Sequence, residues 1–431
     1  MARVDPRGAA VTVLRVDPSA LQAAQLTPPL SKSDAQRALV LAHLSGARTL
    51  EGLESEPVES LPADVRTLLR GLDALRLPPG PRRELDCADG GAPFRILLTQ
   101  AATTPGFRGG FRGTPRLGER PHAPLLEALR EALGPVGLRL EEGRPWPLEL
   151  WAPQDSVGAP PRFRVRSEQS SQYASSLLLG AAALYLRERR PWSVELEGGL
   201  TSPGYLELTL AWMARFGFDV RREPGRLTVT GHTPPAQLPA LPGDWSSLGY
   251  LLLVAWRSGG SVERVDLASA QPDQALLEIV REAGLRTASP APGVLRLEGE
   301  ALRGVRASGT RCPDLLPTLA ALAMVLPGPS VLSDVGVLRL KESDRLEGIR
   351  ALVSAFGGSS ALEGEGLTLQ APASRPAHFE VDSREDHRLA MSAATLSVLS
   401  GVPLTLHGPE CVAKSFPGFW TQLQRTGVRL T

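Results

Sequence analysis

The sequence predicts an α/β protein of two domains, each assembled from three similar helix–strand repeats. Three observations predict it. The chain has 431 residues, too many for one ordinary core. An amphipathic stretch, a Gly or small-residue stop and a short alternating strand recur at intervals of roughly 60 to 80 residues. A second series, a polar cluster followed by an Ala/Leu-rich run, interleaves with the first.

The amphipathic series begins with Asp64 to Arg70 and Leu125 to Arg130, continues with Tyr205 to Val220 and Leu276 to Gly284, and ends with Leu346 to Gly357 and Phe419 to Arg429. Apolar residues at i, i+3, i+4 and i+7 make each a helix with one buried face. The second series is Ser31 to Ser45, Asp89 to Ala102, Ser170 to Leu186, Asp244 to Trp256, Asp314 to Leu326 and Asp386 to Leu399. These runs are apolar nearly all round and read as buried helices. Their polar clusters fall at helix N-termini, where free N–H groups and the helix dipole favour anions. If the buried helices run parallel within each group of three, those ends form a shared anion-binding surface.

Pro/Gly punctuation places chain crossovers near 26–30 (Thr27-Pro28-Pro29-Leu30) and 238–244 (Leu238 to Asp244). The expected domains are therefore 1–26 with 242–431, and 27–241. The chain leaves one domain, builds the other and returns. Leu77–Arg82 and Thr287–Gly293 read as surface loops.

Composition narrows the function. Net charge is +1, with 42% apolar and 22% charged residues, an ordinary soluble balance that argues against a nucleic-acid binder. The three cysteines have no CxxC spacing, and the six histidines show no HxH or HExxH, so neither a disulfide framework nor a metal site is expected. Met1 to Leu21 mixes Arg, Asp and Pro among apolar residues, and the run near Leu177–Leu186 is too short to span a bilayer. A cytoplasmic protein without membrane or nucleic-acid partners is expected.

Only three lysines, Lys32, Lys341 and Lys414, stand against 44 arginines. A lysine ammonium is a compact charge with a movable pKa; guanidinium is planar and stays protonated. Each lysine sits in a polar cluster, so each marks a position where arginine would not serve. The cluster residues are Lys32, Ser33, Arg37, Arg95, Arg120, Ser170, Ser171, Gln172, Asp314, Lys341, Glu342, Arg345, Asp386, His387, Arg388 and Lys414. Cations and hydroxyls dominate, the set that recognises phosphate and carboxylate. On a near-neutral chain this points to a small polyanionic substrate. Asp314 reads either as a helix N-cap or as a proton-transfer carboxylate, and Lys341–Glu342 either as a surface ion pair or as part of the chemistry.

The motifs Ser31-Lys32-Ser33 with Arg37, Gly113-Thr114-Pro115-Arg116 with Glu119-Arg120-Pro121, Ser170-Ser171-Gln172, Gly243-Asp244-Trp245-Ser246-Ser247, Leu340 to Leu346, Asp386 to Met391 and Ala413 to Pro417 occur in one order over nearly the whole chain. In this the chain resembles the 5-enolpyruvylshikimate-3-phosphate synthase family of enolpyruvyl transferases. The resemblance implies two domains of three βαβαββ repeats that close on substrate. It implies transfer of enolpyruvyl from phosphoenolpyruvate to the 5-hydroxyl of shikimate 3-phosphate, by a monomer without metal or organic cofactor. By motif, it implies that Ser33 and Arg37 hold the shikimate carboxylate and ring hydroxyls, and that Ser170, Ser171, Ser202 and Lys341 hold the 3-phosphate. Gln172 lies between the substrates. Lys32, Gly91, Arg120, Arg345, Arg388 and Lys414 serve phosphoenolpyruvate. Asp314 is the base near the 5-hydroxyl, and Glu342 with Lys32 serves the methylene carbon. The tetrahedral intermediate carries two phosphates and two carboxylates, which several fixed cations must offset.

Two departures from the family pattern stand out. Where the family has Asn-Ala-Gly-Thr-Ala-Met-Arg, this chain has Asp89-Gly90-Gly91-Ala92-Pro93-Phe94-Arg95, and Val337 replaces an asparagine. Pro93 and Phe94 are expected to reshape the phosphoenolpyruvate wall, and inhibition by the analogue glyphosate to be weakened. Two alternatives follow: a weakened paralogue that binds shikimate 3-phosphate without turnover, and a UDP-N-acetylglucosamine enolpyruvyl transferase. The stretch Phe107–Arg120 lacks the cysteine usual in the latter.

Overall fold

A computed structural model describes residues 12–431 apart from 48–49, 51–52, 54–56, 59–60, 79–81, 135–136, 141–147, 153–160, 167, 169 and 199–202, and only the backbone of 137–140. The chain divides into two compact units. One comprises Met1–Ser31, Glu59–Pro62 and Pro242–Thr431; the other comprises Lys32–Val58 and Ala63–Leu241.

Strands β1 (Val13–Asp17) and β2 (Gln25–Leu26) open the chain. The second unit then follows: α1 (Lys32–Leu44), α2 (Ala63–Arg76), β3 (Arg83–Asp86), α3 (Gly91–Thr103), β4 (Arg108–Arg112), α4 (Pro115–Glu119), α5 (Ala123–Leu133), β5 (Gly137–Leu140), β6 (Leu148–Trp151), β7 (Arg162–Arg166), α6 (Ser171–Glu188), β8 (Trp192–Glu197), α7 (Pro203–Arg215), β9 (Phe218–Glu223) and β10 (Arg226–His232). The rest of the first unit adds α8 (Trp245–Ser258), β11 (Ser261–Val262), α9 (Leu276–Glu282), β12 (Arg286–Ala288), β13 (Arg296–Glu298), β14 (Arg306–Ser308), α10 (Leu316–Ala323), β15 (Ser330–Ser333), α11 (Arg345–Ala355), β16 (Ser359–Glu363), β17 (Gly366–Gln370), β18 (Phe379–Asp382), α12 (His387–Ser400), β19 (Leu404–His407), α13 (Phe419–Arg425) and β20 (Arg429–Leu430).

The βαβαββ repeat is explicit in the pairing. β3 pairs parallel with β4, β4 antiparallel with β6, and β6 antiparallel with β5. The orders β7-β8-β10-β9 and β14-β15-β17-β16 repeat this arrangement. In β18-β19-β1-β20 the N-terminal strand β1 fills the place of the fourth strand. β2 is the first strand of another repeat: it pairs parallel with β11, and a Val262–Leu295 bridge connects that pair to the β12–β13 hairpin. The first unit is therefore closed by strands laid down before the chain leaves it. The two crossings lie side by side, with Ser31 N donating to Pro242 O (2.9 Å) and Asp244 N to Pro29 O (3.0 Å).

Both helix series form as their sequences require. Every residue of α12 is buried, matching its all-round apolar run. Ser170, Asp244 and Asp386 cap α6, α8 and α12, accepting from the N–H of Gln172, Ser247 and Arg388. The amphipathic helices stop before Gly134, Gly217, Gly284, Gly357 and Gly427, all at positive φ, which only glycine adopts without strain. Asp314 does not begin its helix as expected: α10 starts at Leu316, and Leu315 takes the N-cap position. No helix among the described residues is long and apolar enough to cross a membrane.

Candidate active site

In the first unit the N-terminal ends of α8, α10 and α12 meet. Arg388, on the first turn of α12, donates through Nη2 to Ser246 Oγ of α8 (3.4 Å) and to Asp314 Oδ2 just ahead of α10 (3.0 Å). Three buried helices thus bring their free N–H ends to one place, which favours anions.

Arg345 lies at the centre and is 1% exposed. Its Nε reaches Asp386 Oδ2 (2.8 Å), its Nη1 Asp314 Oδ1 (2.8 Å) and its Nη2 Glu342 Oε2 (2.7 Å). Lys341 Nζ stands 3.6 Å from Asp314 Oδ1, and Lys414 Nζ 4.0 Å from Glu342 Oε1. Ser343 Oγ donates to Asp386 Oδ2 (3.0 Å). Asp386 therefore caps α12 with one oxygen and anchors Arg345 with the other. Four cations are thus held by three carboxylates, with Arg345 and Asp386 buried and Lys341, Asp314 and Glu342 partly open.

Burial alone would push the Asp314 carboxyl up, but the charges of Arg388, Lys341 and Arg345 hold it well below the usual range. Burial pushes the Lys341 ammonium down, with Asp314 opposing and Arg345 adding to the fall. Neither local alternative for Asp314 and Glu342 holds: Asp314 is not the cap, and Lys341–Glu342 is no exposed surface pair.

The second unit has its own cluster. Lys32, the first residue of α1, pairs with Asp64 of α2 (3.1 Å). Asp64 also lies against Gly90 at the start of α3. The guanidinium of Arg120 lies on Gly91, where a Cβ would collide with it. Arg95 of α3 donates to Gln172 Oε1 of α6 and to Pro121 O (3.0 Å). Lys32, Gly91, Arg120, Gln172 and Ser170 are thereby linked through contacts among helix starts. Ser171 is buried on the first turn of α6. Arg37 points inward: its Nε, Nη1 and Nη2 donate to Thr209 Oγ1 (2.8 Å), Ser33 O (2.8 Å) and Tyr205 O (3.0 Å). Burial lowers its guanidinium to about 10. Ser202 lies outside the described residues.

Phe94 is one of the two residues expected to reshape the phosphoenolpyruvate wall. It is buried in the core of its unit, edge-on to Phe111 (5.7 Å) and against His122 (4.7 Å). Pro93 is the third residue of α3, where its missing N–H costs nothing. Val337 lies on a 3₁₀ segment, partly packed on the core.

Asp64 and Asp273 were not singled out in the sequence, and Ser246 appeared there only within a motif without a role, yet all three belong to these clusters. Ser246 Oγ donates to Asp273 Oδ2. Their signals were faint: Asp64 opens an ordinary amphipathic helix, and Asp273 lies 27 residues from its partner. Among the described residues no group of three or more His, Cys, Asp or Glu is arranged around a possible metal position.

A family model described as EPSP synthase (3-phosphoshikimate 1-carboxyvinyltransferase) matches residues 16–423. A 3-phosphoshikimate 1-carboxyvinyltransferase from Methanopyrus kandleri is 32% identical over 419 residues, spanning 93% of this chain and 95% of its own. One from Methanoculleus marisnigri is 32% identical over 439 residues, spanning 96% and 100%. An EPSP synthase structure from Acinetobacter baumannii matches with a TM-score of 0.73 at 20% identity, covering 97% of this chain and 99% of that one. At that identity the structural likeness speaks for the fold.

Proposed function

The chain belongs to the EPSP synthase (3-phosphoshikimate 1-carboxyvinyltransferase) family, and from that membership we propose that it transfers enolpyruvyl from phosphoenolpyruvate to the 5-hydroxyl of shikimate 3-phosphate. The observation that carries the reading is Asp314, a half-buried carboxylate held by Arg345, Arg388 and Lys341 where three helix N-termini meet. The carboxylates of this cluster occupy its cations in the absence of substrate. Substrate phosphate and carboxylate groups are the anions able to replace them. When they do, Asp314 loses its counter-charges and becomes a better base.

The bonds balance as an addition followed by an elimination. The 5-oxygen attacks C2 of phosphoenolpyruvate and gives its proton to Asp314, while C3 gains a proton and becomes a methyl group. The C2–phosphate bond then breaks, and the methyl group returns a proton to leave the enol ether. By motif, Glu342 and Lys32 serve the proton steps at C3. Lys32, Ser33, Arg37, Ser170, Ser171, Gln172, Ser202, Asp314 and Lys341 bind shikimate 3-phosphate. Lys32, Gly91, Arg120, Gln172, Arg345, Arg388 and Lys414 bind phosphoenolpyruvate. Arg37 would first have to exchange its present backbone acceptors for substrate oxygens.

Steady-state phosphate release from phosphoenolpyruvate tests the reading. Release is expected only when shikimate 3-phosphate is present, and Asp314→Asn is expected to lower kcat by about 100-fold. Binding of shikimate 3-phosphate without any release would replace the reading with that of a non-catalytic paralogue.

A further inference from the structure

Asp273 lies on the 3₁₀ turn Pro272–Ala275 ahead of α9 and is 2% exposed. Its Oδ2 accepts from Ser246 Oγ. That same serine oxygen accepts from Arg388 Nη2 at 3.4 Å, and Nη2 also serves Asp314 Oδ2 at 3.0 Å. Asp273 Oδ1 is enclosed without a hydrogen-bond partner. An ionised carboxylate with a buried, unpaired oxygen is costly, whereas the neutral acid is far less so. Burial pushes the Asp273 carboxyl up to about 7, the charge of Asp314 adds to the rise, and Arg388 and the Ser246 hydrogen bond oppose it. The charged or titratable groups facing it are Asp314 ahead of α10, Arg388 of α12, Asp244 at the cap of α8, and Cys312.

We propose that Asp273 is a positioning residue for Arg388: through Ser246 it sets the direction of the guanidinium and the net charge offered to an incoming phosphate or carboxylate. The inference rests on the function proposed above. With Asp273 neutral, Ser246 Oγ still donates to its Oδ2, and Asp314 is the carboxylate that opposes Arg388. With Asp273 ionised, a second carboxylate joins, and the attraction for an anion falls.

The test is the pH dependence of kcat and of KM for phosphoenolpyruvate from pH 6 to 9 in the wild type, Asp273→Asn and Ser246→Ala. Ionisation of the substrate contributes equally to all three proteins. Between pH 6 and 8 the wild-type KM is expected to rise about threefold or more beyond that of Asp273→Asn, with kcat affected less. Ser246→Ala, which leaves the carboxyl in place, is expected to raise KM at every pH. Identical KM profiles in wild type and Asp273→Asn would overturn the proposal.

A second readout does not need turnover. In protein carrying 13C-labelled aspartate carboxyls, one resonance is expected to titrate near pH 7, to vanish in Asp273→Asn and to shift in Ser246→Ala. Its absence, or its indifference to Ser246→Ala, overturns the proposal whatever the activity. Its presence in a protein that releases no phosphate would leave the Asp273–Ser246 link standing and remove the proposed function.

Discussion

Arg345 engages three carboxylates with three different nitrogens, so its geometry is fixed from every side. A guanidinium fork suits that place; a lysine could not span it. The converse applies to the lysines. Lys32 and Lys341 each meet a carboxylate, and Lys414 stands 4.0 Å from Glu342. Lys32→Arg, Lys341→Arg and Lys414→Arg are expected to lower kcat/KM by about tenfold or more each, with circular dichroism and melting unchanged. Near-normal rates in all three would refute the inference drawn from lysine scarcity. Asp273 makes a separate prediction about stability. Its folded-state pKa is raised from 3.8 to about 7, so ionising it costs folding free energy. That cost is absent below the unfolded value, grows as pH rises, and is complete above about 7. Asp273→Asn is therefore expected to stabilise the protein at pH 8 by on the order of a few kcal/mol, with the gain shrinking towards pH 4, as read by urea unfolding. The lysines were legible in the sequence because scarcity marks them. Asp64 and Asp273 were not, because an acidic residue gains its meaning from a partner in space, and acidic residues are common along this chain.

At the scale of elements, small residues set how closely helices approach. Gly348 of α11 faces the side chain of Leu389 on α12, and a Cβ there would collide with it. Gly71 meets Leu97 in the same way between α2 and α3. Leu389 is buried and adjoins Arg388, so it has little room to yield. Gly348→Ala is expected to destabilise the protein by roughly 1–3 kcal/mol and to raise KM for phosphoenolpyruvate through Arg388. A thermal melt and a KM measurement check both parts. Helix caps carry a similar weight: Asp244→Ala removes the acceptor of Ser247 N (2.7 Å) and is expected to cost about 1 kcal/mol. Both helix series were legible, because an apolar face, a capping residue and a glycine stop are all local signals. The start of α10 was not: Pro317 sits at its second position, where a missing N–H is tolerated, and the turn that carries Asp314 precedes it.

For the whole molecule, the order of the repeats was legible from their spacing, and the punctuation near 26–30 and 238–244 adjoins the paired crossing segments. What the spacing could not reveal is that β1 and β2 complete repeats whose other strands come more than 200 residues later. Strand pairing is a long-range relation, and two-residue strands leave almost no periodicity. The proposed function rests on transfer of enolpyruvyl by addition and elimination. Turnover of phosphoenolpyruvate and shikimate 3-phosphate in D2O, followed by proton NMR, tests it most directly. The account predicts an enol ether product whose methylene carbon carries deuterium, because C3 passes through a methyl group that takes one proton from solvent. A product free of deuterium, or a bound shikimate 3-phosphate with no product at all, would contradict it.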